Sequence, residues 1–160
     1  MISADNQQER LNAKWITGFV DGEGCFHVSI NKLHGMTLGW QVLPEFRVVQ
    51  HERDEIILQK LKLYFGFGKI VVNHDDRKEF RVRGLENLKR LIKFFKRNPL
   101  QTSKRKNFEI FSGIIAIMDK KQHLTQKGLK RIANLASKMN QKIKRHLESS
   151  ETTRPTSTDG

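Results

Sequence analysis

The chain has 160 residues, enough for one domain with a hydrophobic core, and 30 Lys and Arg against 17 Asp and Glu give it a net charge of +13. That excess is typical of proteins that bind a polyanion: nucleic acid is the leading class, and an anionic membrane surface is the competing one. The single cysteine excludes an internal disulfide, and no apolar run approaches the ~20 residues that a membrane span needs.

Changes in hydrophobic periodicity divide the chain into helices and strands. In chain order they predict a helix over 8–21, strands over 25–31 and 40–50, a helix over 53–66, strands over 68–73 and 79–84, a helix over 85–97, and two helical segments up to 147 that are broken near 121–125. Helices alternating with hairpins predict an α+β fold in which helices cover one face of an antiparallel sheet. We expect one domain over 1–147 and a disordered polar tail over 148–160.

Local features add three expectations about these elements. Gly22 and Gly24 are expected to end the first helix, as glycines do at helix C-termini. Pro44 inside the second strand predicts a bulge or an unpaired edge position. The second helix is expected to turn these residues inward: Ile56, Leu58, Leu61 and Tyr64 or Phe65.

Alternate residues of the four strands form a second, polar sheet face that the helices leave uncovered. Its Arg, Asn and Gln side chains are the types that bind base edges bidentately in the major groove of DNA. From the pattern alone, a solvated sheet face carries equal weight, and the net charge favours DNA. The DNA-binding residues assigned to this face are His27, Ser29, Asn31, Gln41, Arg47, Lys69, Asn73, Arg81 and Arg83, and Arg77 of the polar turn "HDDRK" is a further predicted DNA contact.

Two carboxylates stand in the stretch "DGEG" at the end of the first helix, where the negative end of the helix dipole disfavours them. A divalent cation would reverse that penalty, because Mg²⁺ and Ca²⁺ prefer oxygen ligands. Gly18 and Gly22, one turn apart, offer a flat surface on which a second helix could pack. Taken alone, the tetrapeptide favours an ordinary turn. The interpretation as a metal site therefore depends on the two acids standing beside the flat surface of Gly18 and Gly22.

The nine residues "ITGFVDGEG" (16–24) resemble the LAGLIDADG motif of homing endonucleases. The order of elements around them, over about residues 8–145, is similar to the αββαββα core of that family. The resemblance implies an antiparallel, saddle-like sheet that binds DNA, helices on its opposite face, and additional C-terminal helices. Within the family, the chain resembles the members that carry one motif per chain and act as homodimers.

The same resemblance implies a catalytic site. Glu23 matches the metal-binding catalytic carboxylate, and Gly22 would lend its backbone carbonyl to the metal. Gln50 matches a polar residue that helps to position solvent near the metals. Lys104 matches a basic residue near the scissile phosphate, with Lys106 as the rival for that role and otherwise a DNA contact. The implied cofactor is Mg²⁺, with Mn²⁺ as an alternative and Ca²⁺ as a non-catalytic substitute.

The implied activity is site-specific cleavage of both strands of a long, pseudo-palindromic DNA target in intron homing. Two alternatives stay open: an RNA-splicing maturase whose partner is intron RNA, and a DNA-binding protein that does not cleave. The N-terminus lacks the basic start and apolar centre of a secretory signal, so we expect an intracellular protein, in a chloroplast or mitochondrion if it follows the family. The expected dimer interface comprises Trp15, Gly18, Phe19 and Gly22.

Overall fold

The computed structural model describes residues 10–139, which form five α-helices and one four-stranded antiparallel sheet. The elements are α1 (Ala13–Glu23), β1 (Gly24–Lys32), β2 (Trp40–His51), α2 (Glu55–Phe65), β3 (Lys69–His74), β4 (Arg77–Val82), α3 (Leu85–Arg97), α4 (Lys104–Asp119) and α5 (Gln126–Met139), with short 3-10 turns at Glu52–Asp54 and Gln122–Leu124. The predicted α+β class and the order of elements are therefore confirmed. Within residues 10–139, no helix is long and apolar enough to cross a membrane.

The first helix begins later than its periodicity predicts. Asn12 caps α1, because its side-chain oxygen accepts a hydrogen bond of 2.8 Å from the backbone N–H of Trp15. The cap sets the start of the helix at Ala13 and leaves Leu11 packed against the core outside it. The predicted tail over 148–160 and the last part of the final helix lie outside the described residues.

The junction between α1 and β1 is tighter than a flexible glycine turn. Gly22 lies inside the helix, so the expectation that it ends the helix is wrong, and Glu23 is the last helical residue. Gly24 has an extended backbone with φ of −78°, which any residue can adopt. A Cβ atom added there would lie only 2.6 Å from the Val20 side chain and 3.3 Å from the Phe46 ring. Glycine is therefore needed at this position for close packing of the chain against the core.

The sheet has the strand order β1-β2-β4-β3, and its register keeps alternation intact along β2. The pairing of β1 with β2 runs without a shift through Pro44, which lies opposite Val28, so the predicted bulge is absent there. On the other side, β4 pairs with β2 only from Phe46 onward. Pro44 thus occupies a position with one neighbouring strand, where its missing N–H costs no ladder hydrogen bond, and the unpaired-edge alternative is correct.

One face of the sheet is buried by the helices, and aromatic rings fill much of the space between the two layers. Phe26 of β1 lies within 5.1–5.8 Å, centroid to centroid, of the rings of Phe46, Phe95, Phe108 and Phe111. Such tilted and edge-on contacts add to the apolar area that the core buries. Covering one face leaves the opposite face open, as the alternation predicts.

The buried stripe of α2 differs from its prediction by one residue. Leu58, Leu61 and Phe65 are buried, whereas the side chain of Ile56 is 62% exposed. The three buried residues follow the i, i+3, i+7 spacing of one helix face, and Ile56 falls beside that stripe. Its inward assignment is therefore wrong.

We expect Gly24→Ala to destabilise the protein by about 1–3 kcal/mol, the usual cost of forcing a group into a packed core. Gly113→Ala is the matched control, because Gly113 lies within α4 and nothing lies within 4 Å of its added Cβ. That substitution should be neutral or stabilising, since alanine favours helix formation. Urea denaturation of both variants measures the difference; a Gly24→Ala variant as stable as Gly113→Ala would contradict the packing argument.

Candidate active site and nucleic-acid interface

The end of α1 and the end of β2 bring an acid and an amide together. Glu23 is the exposed last residue of α1, and the Gln50 side-chain nitrogen donates a hydrogen bond of 3.2 Å to its Oε2. The register explains the contact, because Gly24 lies opposite Val48 and therefore places the foot of α1 beside the last residues of β2. Two of the predicted catalytic residues, 27 positions apart in the chain, thus touch each other.

The second carboxylate of the motif, Asp21, binds the segment that leads into α4. Its oxygens accept hydrogen bonds of 2.9–3.1 Å from the backbone N–H groups of Gln101 and Thr102, and one of 2.8 Å from the Thr102 hydroxyl. Partial burial raises the pKa of Asp21. These hydrogen bonds and the nearby charge of Lys104 together have the larger, opposite effect, so the pKa lies below the ordinary aspartate value. These donors stabilise a carboxylate at the unfavourable end of the helix dipole without any metal.

Lys104, the first residue of α4, lies close to the same corner. Burial lowers its pKa below the ordinary lysine value, although the nearby Cys25, Asp21 and Glu23 act in the opposite direction. The side chain is half-buried and within electrostatic reach of Glu23. Lys106, the rival candidate, is exposed on the next part of α4.

The oxygen atoms at this corner suit a hard divalent cation. Glu23 offers its carboxylate and Gln50 an amide oxygen, which are ligand types that Mg²⁺ and Ca²⁺ prefer. The carboxylate of Asp21 is already engaged by Gln101 and Thr102. No group of three or more His, Cys, Asp or Glu side chains within residues 10–139 could hold a metal ion. A single chain therefore contributes one available carboxylate here.

One side of α1 carries small and aromatic residues that the described chain leaves open or only partly covers. No atom lies within 4 Å of a Cβ added at Gly18 or Gly22. Beside them, Trp15 is 40% exposed, and its ring stacks on that of Phe19 with 4.9 Å between the centroids. These four residues form one continuous surface at the spacing i, i+3, i+4, i+7, which we call the glycine surface.

The four strands bring most of the predicted DNA-binding residues to one sheet face, the polar face. His27 lies opposite Glu45, Asn31 opposite Gln41, Arg47 opposite Arg81, and Lys69 beside Arg81 on the other side. Ser29 accepts a hydrogen bond of 3.3 Å from Asn31, and Arg77 lies opposite His51 at the far end of the face. The exception is Lys106, which belongs to α4 and lies off the sheet.

Two buried carboxylates on this face escaped the sequence-based choice of site residues. Glu45 accepts a hydrogen bond of 2.8 Å from Arg83, and Glu79 accepts one of 2.7 Å from Arg81. Arg47 lies between them, with its Nη1 atom 3.5 Å from one carboxylate and 3.8 Å from the other. Strand alternation puts both acids on the face; an acid within an arginine-rich row was the signal that could have identified them.

Comparison with known proteins gives a consistent result. The family model of the LAGLIDADG endonuclease matches residues 16–115. The solved structure of the homing endonuclease I-TnaI superposes with a TM-score of 0.80 at 44% sequence identity, covering 88% of this chain and 98% of that one. I-SmaMI bound to an uncleaved DNA target with calcium ions superposes with a TM-score of 0.81 at 32% identity, covering 82% of this chain and 46% of that one.

Among curated relatives, the chain is similar to the probable intron-encoded endonuclease 2 of Neurospora crassa, with 33% identity over 143 residues. The match covers 88% of this chain and 32% of that protein. The chain spans about a quarter to a third of the length of the first curated relatives that it matches.

The contacts of Asp21 predict a pH-dependent contribution to stability. Because its pKa is lower in the folded state, the contribution is present above the unfolded pKa and is lost as the pH falls through the folded pKa. We expect Asp21→Asn to lose about 1 kcal/mol at pH 7, and the loss to disappear in strongly acidic solution.

Urea denaturation of Asp21→Asn and the wild type at a series of pH values measures this effect. Glu109→Gln is the control, because Glu109 is exposed and only pairs with Arg105 on the same helix. A stability loss for Asp21→Asn that did not change with pH would show that the carboxylate charge is not its source.

Proposed function

Because the chain belongs to the LAGLIDADG endonuclease family, we propose that it is a site-specific homing endonuclease that hydrolyses both strands of a DNA target. The observation that carries the proposal is the corner at the end of α1, where Gln50 donates a hydrogen bond to Glu23 and Lys104 lies within electrostatic reach. It lies at one end of the sheet that bears the arginine-rich polar face. A duplex lying along that face would bring its phosphates to the corner.

Each of the three residues has a chemical role in this proposal. Glu23 is the metal-binding catalytic carboxylate, and the Gly22 carbonyl is a further ligand beside it. Gln50, held against Glu23 by a 3.2 Å hydrogen bond, orients the attacking water. Lys104 places a positive charge beside the scissile phosphate, where it stabilises the charge of the transition state. When bound, Mg²⁺ or Mn²⁺ would polarise the phosphate and promote deprotonation of water.

The metal requirement follows from the ligand types. Glu23 and the backbone carbonyl of Gly22 offer hard oxygen ligands, which fit Mg²⁺ and Mn²⁺. Ca²⁺ would occupy the site and permit binding without cleavage. The complex of I-SmaMI with an uncleaved target in the presence of calcium ions supports this part of the proposal.

We further propose that two copies of the chain assemble through the glycine surface. Gly18 and Gly22 leave room for a second helix backbone to approach, and Trp15 and Phe19 supply apolar area beside them. The C-terminal ends of the two α1 helices would then lie side by side and bring together one Glu23 from each copy. A pair of carboxylates suits two-metal hydrolysis of a phosphodiester. A twofold assembly would read a pseudo-palindromic target, with one sheet on each half-site.

The names of the relatives support an origin in an intron, since several are called intron-encoded endonucleases. We include intron homing and an organellar location in the proposal on that basis. The alternatives, a splicing maturase that acts on intron RNA and a DNA-binding protein without cleavage, share one property that separates them from the proposal: neither needs Glu23 for its activity.

We expect Glu23→Gln to reduce DNA cleavage at least about 100-fold while binding to the same duplex persists, because the amide cannot replace a charged metal ligand. Cleavage of a duplex selected from a randomised library, with Mg²⁺, measures the first quantity, and binding in Ca²⁺ measures the second. Glu86→Gln is the control, since Glu86 is exposed on α3, in the helical layer. Undiminished cutting by Glu23→Gln would overturn the assignment of Glu23. Duplex binding without cutting by the wild type would favour the DNA-binding protein, and no preference for duplex would favour the maturase.

We expect Gly18→Leu to disrupt the dimer without unfolding the chain, because one chain leaves open space at this position. Gly113→Leu is the matched control, in another helix and with equally open space around its added Cβ. Sedimentation velocity should show a dimer for the wild type and for Gly113→Leu and a monomer for Gly18→Leu. If Gly18→Leu stayed dimeric, another surface would have to form the interface.

A further inference from the structure

Two carboxylates lie within the surface that the proposed function presents to DNA, and their charge is the wrong sign for contact with phosphate. The side chains of Glu79 and Glu45 are 0% and 8% exposed, so neither is available to a ligand. A buried carboxylate is unfavourable unless it is paired and hydrogen-bonded. The role of the two carboxylates must therefore be inferred from the side chains that they bind on the polar face.

Glu79 holds Arg81 along one edge of its guanidinium group. The Nε and Nη2 atoms of Arg81 both lie 2.7 Å from Glu79 Oε2. The other oxygen, Oε1, accepts a hydrogen bond of 3.4 Å from Asn73 and lies 3.8 Å from Arg47 Nη1. Four strand residues are therefore tied together through one buried carboxylate.

The contact with Glu79 uses the side edge of the Arg81 guanidinium and not its end. Of the five N–H donors of an arginine, Nε–H and one Nη2–H point at Glu79, and the remaining three belong to Nη1 and Nη2. Two parallel N–H groups at that end match the O6 and N7 acceptors of guanine in the major groove. A related contact, through Nε alone, occurs where Glu45 Oε2 accepts a hydrogen bond of 2.8 Å from Arg83 Nε.

Without the carboxylates, this group of arginines would repel itself. Arg47 lies directly opposite Arg81 across the β2–β4 pairing, and like charges in that position are destabilising. Arg47 Nη1 lies 3.5 Å from Glu45 and 3.8 Å from Glu79, so both acids offset the repulsion. The two carboxylates thus hold the guanidinium groups in fixed orientations, whereas arginines without them would move apart by mutual repulsion.

We propose that Glu79 and Glu45 are positioning residues that set the base preference of the protein by holding Arg81 and Arg83 for guanine. This inference rests on the proposed function, because it assumes that the polar face binds a DNA duplex. A held arginine loses little conformational freedom on binding, so the right base is favoured over the wrong one. A freely moving arginine would bind phosphates of any sequence.

The test is selection of bound duplexes from a randomised library in Ca²⁺, with the full chain as wild type and as variants. Wild-type protein should select guanine at two separate positions in each half-site. Arg81→Lys should lose the preference at one of them and Arg83→Lys at the other. Glu79→Gln should reduce discrimination about tenfold at the Arg81 position and leave the Arg83 position unchanged, and Glu45→Gln should do the reverse.

Two further measurements separate positioning from a general structural effect. Glu79→Gln should bind a shuffled duplex as tightly as the wild type or more tightly, because it removes a negative charge from the face. Glu79→Asp keeps the charge but is one methylene shorter, so it should weaken the same base preference; it decides the question if Glu79→Gln does not fold. Glu86→Gln, on α3, should leave every preference unchanged.

The outcomes distinguish this inference from the proposed function. If the wild type selects a target but Glu79→Gln and Glu79→Asp keep its base preferences, or lose affinity equally for all duplexes, the inference is overturned and the proposed function stands. If the wild type selects no duplex at all, the proposed function fails, and the inference fails with it.

Discussion

The carboxylate of Asp21 joins the parts of the molecule on which the candidate active site depends. It stands near the end of α1 and binds the backbone of Gln101 and Thr102, which lead into α4. That contact places the start of α4, and with it Lys104, near Glu23. A helix end that would otherwise repel a negative charge therefore carries two acids with different tasks: one holds the scaffold, and the other stays exposed.

The polar face shows a second use of buried acids. A surface intended for a polyanion gains affinity from every exposed arginine, but arginines in neighbouring positions of a sheet repel one another. Glu45 and Glu79 lie beneath that row and take up part of each guanidinium group. Each acid is paired with arginines, which offset its charge, and its gain is order among the side chains that face the ligand.

Prediction from sequence succeeded where a feature depends on neighbours along the chain. The bounds of α3 were predicted to the residue, and the polar face was found from alternation alone. Prediction failed where periodicity allows more than one arrangement, for example which of two neighbouring apolar residues is buried, because tertiary packing makes that choice. Ile56 is apolar and close to the buried stripe of α2, yet it lies outside the part of that helix that packs against the core. Gly24 caps the first helix as expected, but the close approach of Val20 and Phe46 that makes glycine necessary there does not follow from local sequence.

The sequence by itself determined the order of elements, the polar side of the sheet and the position of Glu23 at a helix end, because each follows from periodicity or from a short motif. Only the tertiary structure decided the contacts of Glu23 with Gln50, of Asp21 with Gln101, and of Glu45 with Arg83. Those partners are 27, 80 and 38 positions apart. Their meeting depends on strand register and helix docking, which are set by the packing of the whole core and leave no trace in any local stretch of sequence.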